Sequence, residues 1–404
     1  PNIRRASEEP RSFSFAELAA SGDILRLPQR QDNLGILAAA GNPMLSVVAG
    51  QSFRPIATPL TFSGFSQQTL DAFAPQLIAS GLLPVAAVGG AAPITRLKPA
   101  TESTLTGGTS VSMQLTRGDY SIAAAGTVTL RDGDKIYAFG HPFLNLGSSD
   151  LPMAESHVVT VIPNVNNSFK LAVPEAMVGA MTQDRATGVF GRLGKTPAMV
   201  PVVLKINTSR GGTQSYNFEV AKDEVLTPLL LNITIYNSIT AQERGFGEST
   251  VSISGKIAIK TKPEVNISRR FTGQQATQLA AVSVAAPVAA LLRSGFDECE
   301  IERIELEIDS ADGTRTGTLE RLAVDRSRIK PGETIEVTAF ARTNSGRVYI
   351  EKIPVRIPEQ TPAGIINITV ADGAQAQQSS AAQAFVPRDL TELIRIINGL
   401  RPAD

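Results

Sequence analysis

Apolar and polar positions alternate along most of the chain, with a period near two wherever the pattern is clean. In "SVSMQLTRG" (110–118), Val111, Met113 and Leu115 share one face and Ser110, Ser112 and Gln114 the other, which predicts a half-buried strand. "SIAAAGTVTLRDGDKIYAFGH" (121–141) follows. Its "RDGD" at 131–134 predicts a hairpin, because an Asp-Gly pair tolerates the positive φ that tight turns need. This hairpin carries His141 at the end of its second strand. "VVTVIP", "AMVPVVLKI", "SYNFEVA", "LLLNITIY" and "STVSISGKIAIK" extend the short strands to about residue 260. Such spacing suits a barrel or a sandwich better than alternating β/α units.

Helical spacing is confined to a few stretches. Ser66 caps a predicted helix over 66–80, with Leu70, Phe73, Leu77 and Ile78 in register, and another Ser-capped helix is expected around 14–21, ended by Gly22. "LAAVSVAAPVAALL" (279–292) reads as a buried helix that Pro287 kinks or stops. A last helix is predicted from Asp389 to Asn398, with Leu390, Leu393, Ile394 and Ile397 on one face and Gly399 after it. Residues 88–108, rich in Gly, Pro and Thr, read as a loop or linker.

From about residue 298 the rhythm changes. "IERIELEID", "GTLERLAVD", "TIEVTAFAR", "YIEKIPVRI" and "GIINITVADG" are alternating segments punctuated by "KPGET" and "EQTPAG", the pattern of a small antiparallel sandwich of immunoglobulin-like type. The expected organisation is mainly β with some helix. A mixed N-terminal part spans 1–107, a β-rich core 108–265, a connecting helix 266–297, the sandwich 298–386 and a helical tail 387–404.

Composition narrows the partners. The 404 residues are enough for two or three domains, and 42% hydrophobic with 19% charged residues fits a globular chain with a real core. Lys+Arg and Asp+Glu both number 38, so no global field draws nucleic acid or an anionic membrane, and neither is an expected partner. No segment reaches the roughly 18 unbroken apolar residues of a membrane span. Cys299 stands alone, which excludes an internal disulfide and a cysteine-based zinc site. The chain opens at Pro1 without a signal-peptide pattern and reads as a mature product or a processed piece.

Candidate chemistry centres on "YAFGHPFLNLGSSDLPM" (137–153), which holds one of only two histidines. His141 is a catalytic base, a metal ligand or a polar residue at a strand end. Its separation from His157 suits no helical pair of metal ligands, and no phosphate-binding glycine loop occurs, so no metal or cofactor is expected. A serine-protease mechanism needs a hydroxyl activated by histidine, an acid to orient the imidazole, and an oxyanion hole. Asp150 in "GSSDLP" and Asp184 in "MTQDRATGVFG" are the candidate acids. No G-x-S-G or G-x-S-x-G occurs, and Ser148 and Ser149 lie very close to His141 in sequence. Gly188, Gly191 and Gly194 either offer backbone N–H groups to a carboxylate or oxyanion, or form a tight turn against the barrel. Arg185 and Arg192 read as surface ion-pair partners, and His157 as a strand-start residue.

Residues 115–206 resemble the SpoIVB-type serine peptidases, a set that includes the sporulation stage IV protein B and bacterial envelope homologues. The "GH" after an apolar strand, "NSFKLAVPEAMVGAMTQDRATGVFG" and the "PVVLKI" after it carry the resemblance. It implies a trypsin-like β-barrel-type domain, a trypsin-like mechanism with His141 as general base, and an extracytoplasmic location (periplasm, cell envelope or secreted). It also implies a peptide or protein substrate, with the chain's own upstream segment among the candidates, and leaves a homo-oligomer or an envelope assembly open. The family's "GMSGSP" serine motif is missing from these residues. Either an upstream segment supplies the serine or it is lost, and loss of a triad serine costs on the order of 10⁶ in turnover. The alternative is a non-catalytic envelope scaffold built on a protease-derived domain.

Overall fold

The computed structural model describes residues 13–14, 25–27, 57–87, 93–163, 168–208, 211–242, 248–296, 299–314, 316–343, 345–371 and 384–400. The helix expected around 14–21 lies outside them. After β1 (Phe13–Ser14), strand β2 (Thr58–Ser63) and strand β3 (Leu82–Ala86) pair in parallel across helix α1 (Gln67–Ala79). The Ser66 side chain accepts the Thr69 N–H at the start of α1, the capping arrangement expected from the sequence. Leu70, Phe73 and Leu77 are buried, whereas Ile78 is exposed.

Strands β4 (Ser110–Gly118), β5 (Ser121–Asp132), β6 (Lys135–Ala138), β7 (Gly147–Ile162), β8 (Phe169–Arg185) and β9 (Gly188–Leu193) come next. Antiparallel pairings β4–β5, β5–β6, β6–β9, β9–β8, β8–β7 and β7–β4 close them into a six-stranded barrel. Side chains fill a barrel of this size. Met113, Met153, Met181, Ile136 and Leu151 are wholly buried. A Cβ at Gly191 of β9 would stand 2.7 Å from the Met153 sulfur and 2.9 Å from that of Met181, although Met153 belongs to β7, two strands away. The flexible thioethers occupy the gaps that the glycines leave.

The remaining large-sheet strands are β10 (Met199–Asn207), β11 (Thr213–Ala221), β12 (Ser249–Ile259), β13 (Val265–Gly273) and β14 (Ile301–Asp312), with α2 (Leu226–Thr240) after β11 and α3 (Ala276–Leu292) after β13. They continue the sheet away from the barrel in the order β11-β10-β14-β12-β13. The junction is β4, whose last residues pair with β11 while its first pair with β7. Strand β4 is consequently buried on both faces, Ser112, Gln114 and Thr116 included. The polar face that its alternation predicted to meet water is covered.

Two expectations are corrected in this half of the molecule. "LLLNITIY" is part of helix α2, not a strand. It is buried on nearly every side, Asn232 and Thr234 included, and a short, mostly apolar run carries no period that separates the two states. Its start is set by Asp223, whose carboxylate accepts the N–H groups of Val225 and Leu226, and by Thr227, whose hydroxyl accepts the Asp223 N–H. The segment 266–297 is not simply a connecting helix: it begins as β13, and α3 packs against α2, β12 and β13 in the main core. Of the two outcomes expected at Pro287, a kink or a stop, the stop is excluded, because helix α3 continues to Leu292.

The region expected to form a sandwich divides between two sheets. Strand β14 lies inside the large sheet, parallel to β10 and antiparallel to β12. Strands β15 (Gly317–Val324), β16 (Thr334–Thr343) and β17 (Val348–Arg356) form a separate three-stranded sheet. Among the described residues no further strand pairs with these three, and 364–371 of "GIINITVADG" is not a strand. Two-residue alternation marks a strand but not the sheet it joins. Strand β18 (Ala384–Phe385) pairs with β1, and helix α4 (Leu390–Asn398) returns to the main core through Leu390, Leu393, Ile394 and Ile397. Asp389 caps it by accepting the Glu392 N–H at 2.7 Å. The molecule is mainly β, as its alternation predicted.

Candidate functional site

The hairpin expected at "RDGD" joins β5 to β6, with Asp132 opposite Lys135 and Gly133 at φ +62° in the first turn position. Strand β6 ends at Ala138. Phe139 and Gly140 then both take φ +75°, so the chain leaves the strand through two consecutive left-handed residues. Phe139 pays strain for this conformation. Its N–H donates to the Thr127 carbonyl at 3.0 Å, and its ring lies where a Cβ on Gly126 would otherwise be.

This exit leaves His141 exposed, three residues beyond β6. Its Nδ1 lies 2.9 Å from the Pro142 carbonyl oxygen, and its ring stands 5.7 Å from that of Phe139. Among the described residues no carboxylate lies within 4.0 Å of its ring nitrogens. His157, expected at a strand start, sits well inside β7, exposed and opposite Val173.

Asp184 is 1% exposed and already fully used. One oxygen accepts the Phe143 N–H at 2.8 Å, and the other accepts those of Leu144 at 2.8 Å and Leu146 at 3.0 Å. Asn145, at φ +57°, lets the loop after His141 wrap its amides around this one carboxylate. Asp150 pairs with Lys195 at 2.6 Å and accepts the Ala198 N–H at 3.1 Å. Both candidate acids therefore fasten loops, and neither orients His141. The Ser149 hydroxyl donates to the Met181 carbonyl.

The two glycines proposed for an oxyanion site part company. Gly191 faces the barrel interior, where the methionine sulfurs exclude a side chain. Gly188, at φ +150°, closes the β8–β9 hairpin opposite Arg185, and a Cβ on it would stand 3.0 Å from the Ala138 carbonyl. The same hairpin borders a cavity of about 480 Å³ whose lining includes Thr129, Tyr137, Gly140, Gln183, Arg185, Gly188 and Phe190. Tyr137 and Phe190 are a cross-strand pair with ring centroids 5.1 Å apart. Their neighbours Ile136 and Gly191 point inward, so strand alternation turns Tyr137 and Phe190 out.

Arg192 pairs with Asp134 at 2.9 Å, as its surface position suggested. Arg185 does not behave alike: its only hydrogen bond among the described residues goes to Gln183 Oε1 at 3.4 Å. Burial pushes the Cys299 thiol up to about 11. Among the described residues no group of three His, Cys, Asp or Glu is placed to hold a metal ion, and no helix is long and apolar enough to cross a membrane. Comparison with known proteins finds no matching family model, no matching curated protein and no matching solved structure.

Proposed function

We propose that this chain is a non-catalytic module of an extracytoplasmic envelope protein of SpoIVB type, one that holds a protein or peptide segment without cutting it. The observation that carries this reading is the state of Asp184. A triad acid must reach the imidazole Nδ1. Both Asp184 oxygens instead hold backbone amides of 143–146, while His141 Nδ1 faces a backbone carbonyl. The sequence contains no G-x-S-G to supply a nucleophile.

One contact favours the peptidase reading. An Nδ1–H donated to the Pro142 carbonyl leaves Nε2 as the basic nitrogen, the tautomer a general base needs if another segment brings a serine to it. Fluorophosphonate labelling of the native protein, read by intact mass with His141→Ala as control, separates the two. The binding module takes no label, and His141→Ala changes nothing. A single labelled serine that disappears in His141→Ala overturns the proposal in favour of the peptidase.

A further inference from the structure

Resting on that binding reading, we infer that the cavity beside His141 receives a carboxylate-bearing peptide, with Arg185 taking the carboxylate and the Tyr137–Phe190 wall packing the adjoining apolar side chain. The starting observation is an unmatched cation. Arg131 spends its guanidinium on the carbonyls of Thr101, Glu102 and Thr104, and Arg192 spends its own on Asp134. Arg185, on the cavity wall, has one long contact to a neutral amide. Among the described residues no carboxylate comes within 4.0 Å of it. The acid next to it in sequence, Asp184, is buried with both oxygens taken.

The next cation along this wall lacks a carboxylate as well. Lys170 donates to the Gly126 carbonyl and to the Thr127 hydroxyl of β5, the strand whose Thr129 lines the cavity. Its pKa is lowered by burial, as befits a cation without a carboxylate close by. A planar guanidinium with open donors matches a carboxylate through two parallel N–H···O bonds, which a neutral ligand cannot reproduce. The walls supply the rest. Two rings 5.1 Å apart offer an apolar surface, and Gly140, where a Cβ would meet nothing within 4 Å, leaves room for an extended backbone. An anion with an apolar neighbour fits this combination, and a cationic peptide does not.

The carboxylate comes either from a chain terminus or from an acidic side chain, and three fluorescein-labelled hexapeptides of alanine and serine tell them apart by anisotropy. One ends in phenylalanine with a free carboxylate. The second is its C-terminal amide, and the third is that amide with an internal glutamate beside the phenylalanine. The expected result is that at least one anionic peptide binds ten-fold or more tightly than the neutral amide. Arg185→Met should abolish that difference, Arg185→Lys should restore part of it, and Tyr137→Ala should weaken every peptide. The stronger of the two anionic peptides identifies the source. Equal binding of all three, no binding by any, or an unchanged preference in a folded Arg185→Met protein overturns the assignment. Those outcomes leave the fluorophosphonate result standing, whereas a His141-dependent label overturns the non-catalytic reading and leaves the Arg185 dependence intact.

Discussion

Replacing Asp184 tests directly whether it clamps a loop or serves an active site. Its carboxylate accepts three backbone N–H groups at 2.8, 2.8 and 3.0 Å from a position 1% exposed. Hydrogen bonds to a charged group contribute about 1.5–3 kcal/mol each, and such contributions do not simply add. Asp184→Asn keeps one carbonyl oxygen. Placed where Oδ2 now lies, it retains Leu144 and Leu146 as neutral bonds but turns an NH₂ toward the Phe143 N–H. The expected loss is about 2–4 kcal/mol, and Asp184→Ala, which strands all three donors, costs about 4–6 kcal/mol. Urea unfolding followed by circular dichroism measures both, and amide exchange should show protection lost first at Phe143, Leu144 and Leu146. An acid that only orients a histidine behaves differently, because its Asn variant keeps the fold and loses turnover. If both variants unfold within about 0.5 kcal/mol of the parent with those amides still protected, the clamp is refuted.

Two further predictions concern the core and the alkaline limb of stability. Gly191→Ala presses on two flexible methionine ends and should cost about 1–3 kcal/mol, partly regained by Met153→Val. Gly179→Ala should cost more, without rescue by Met153→Val, because its Cβ would meet the rigid Arg192 carbonyl at 2.1 Å; equal thermal shifts for the two would contradict this packing. Cys299 holds its proton up to about 11 against an ordinary 9.0, and the buried Tyr120 phenol is raised too. A raised folded-state pKa gives stability that is complete below the unfolded value and is lost as pH rises through the folded one. Urea midpoints should therefore fall between pH 9 and 11, and fall less in Cys299→Ala; a flat profile would count against the burial of these groups.

The elements most legible in the sequence are those whose signals are local. Ser66 and Asp389 cap their helices through side-chain acceptors, and Gly133 supplies the positive φ of the β5–β6 turn. Nothing local says that β14 joins β10 and β12, since Ile304 and Ile308 alternate as they would in any half-buried strand. Nor does "LLLNITIY" announce a helix from its apolar content. The informative residues were Asp223 and Thr227 just before and inside its first turn, a side-chain capping pattern that outranks the β-branched character of the run. Ser112 and Thr116 look like solvent-facing positions for a related reason. A strand shared by a barrel and the sheet that continues from it is covered on both sides here, and only the global topology decides which strand is shared.

The site was legible in its parts and misleading in its assembly. A histidine with two aspartates downstream has the ingredients of a triad, because sequence records residue type and separation but not which backbone amides come to an oxygen. The loop 143–146 surrounds Asp184 through a left-handed turn at Asn145, which leaves both carboxylate oxygens on backbone amides and not on the His141 ring. The same local geometry makes the cavity. Phe139 and Gly140 turn the chain away from β6, Gly188 tightens the opposite hairpin against the Ala138 carbonyl, and Tyr137 and Phe190 line the space beside the two. A buried acid that fixes a loop, beside a wall of rings and a guanidinium that meets no carboxylate among the described residues, is the arrangement on which the proposed binding function rests. Its charge sits where a ligand can reach it, on Arg185, and not where a proton must be moved.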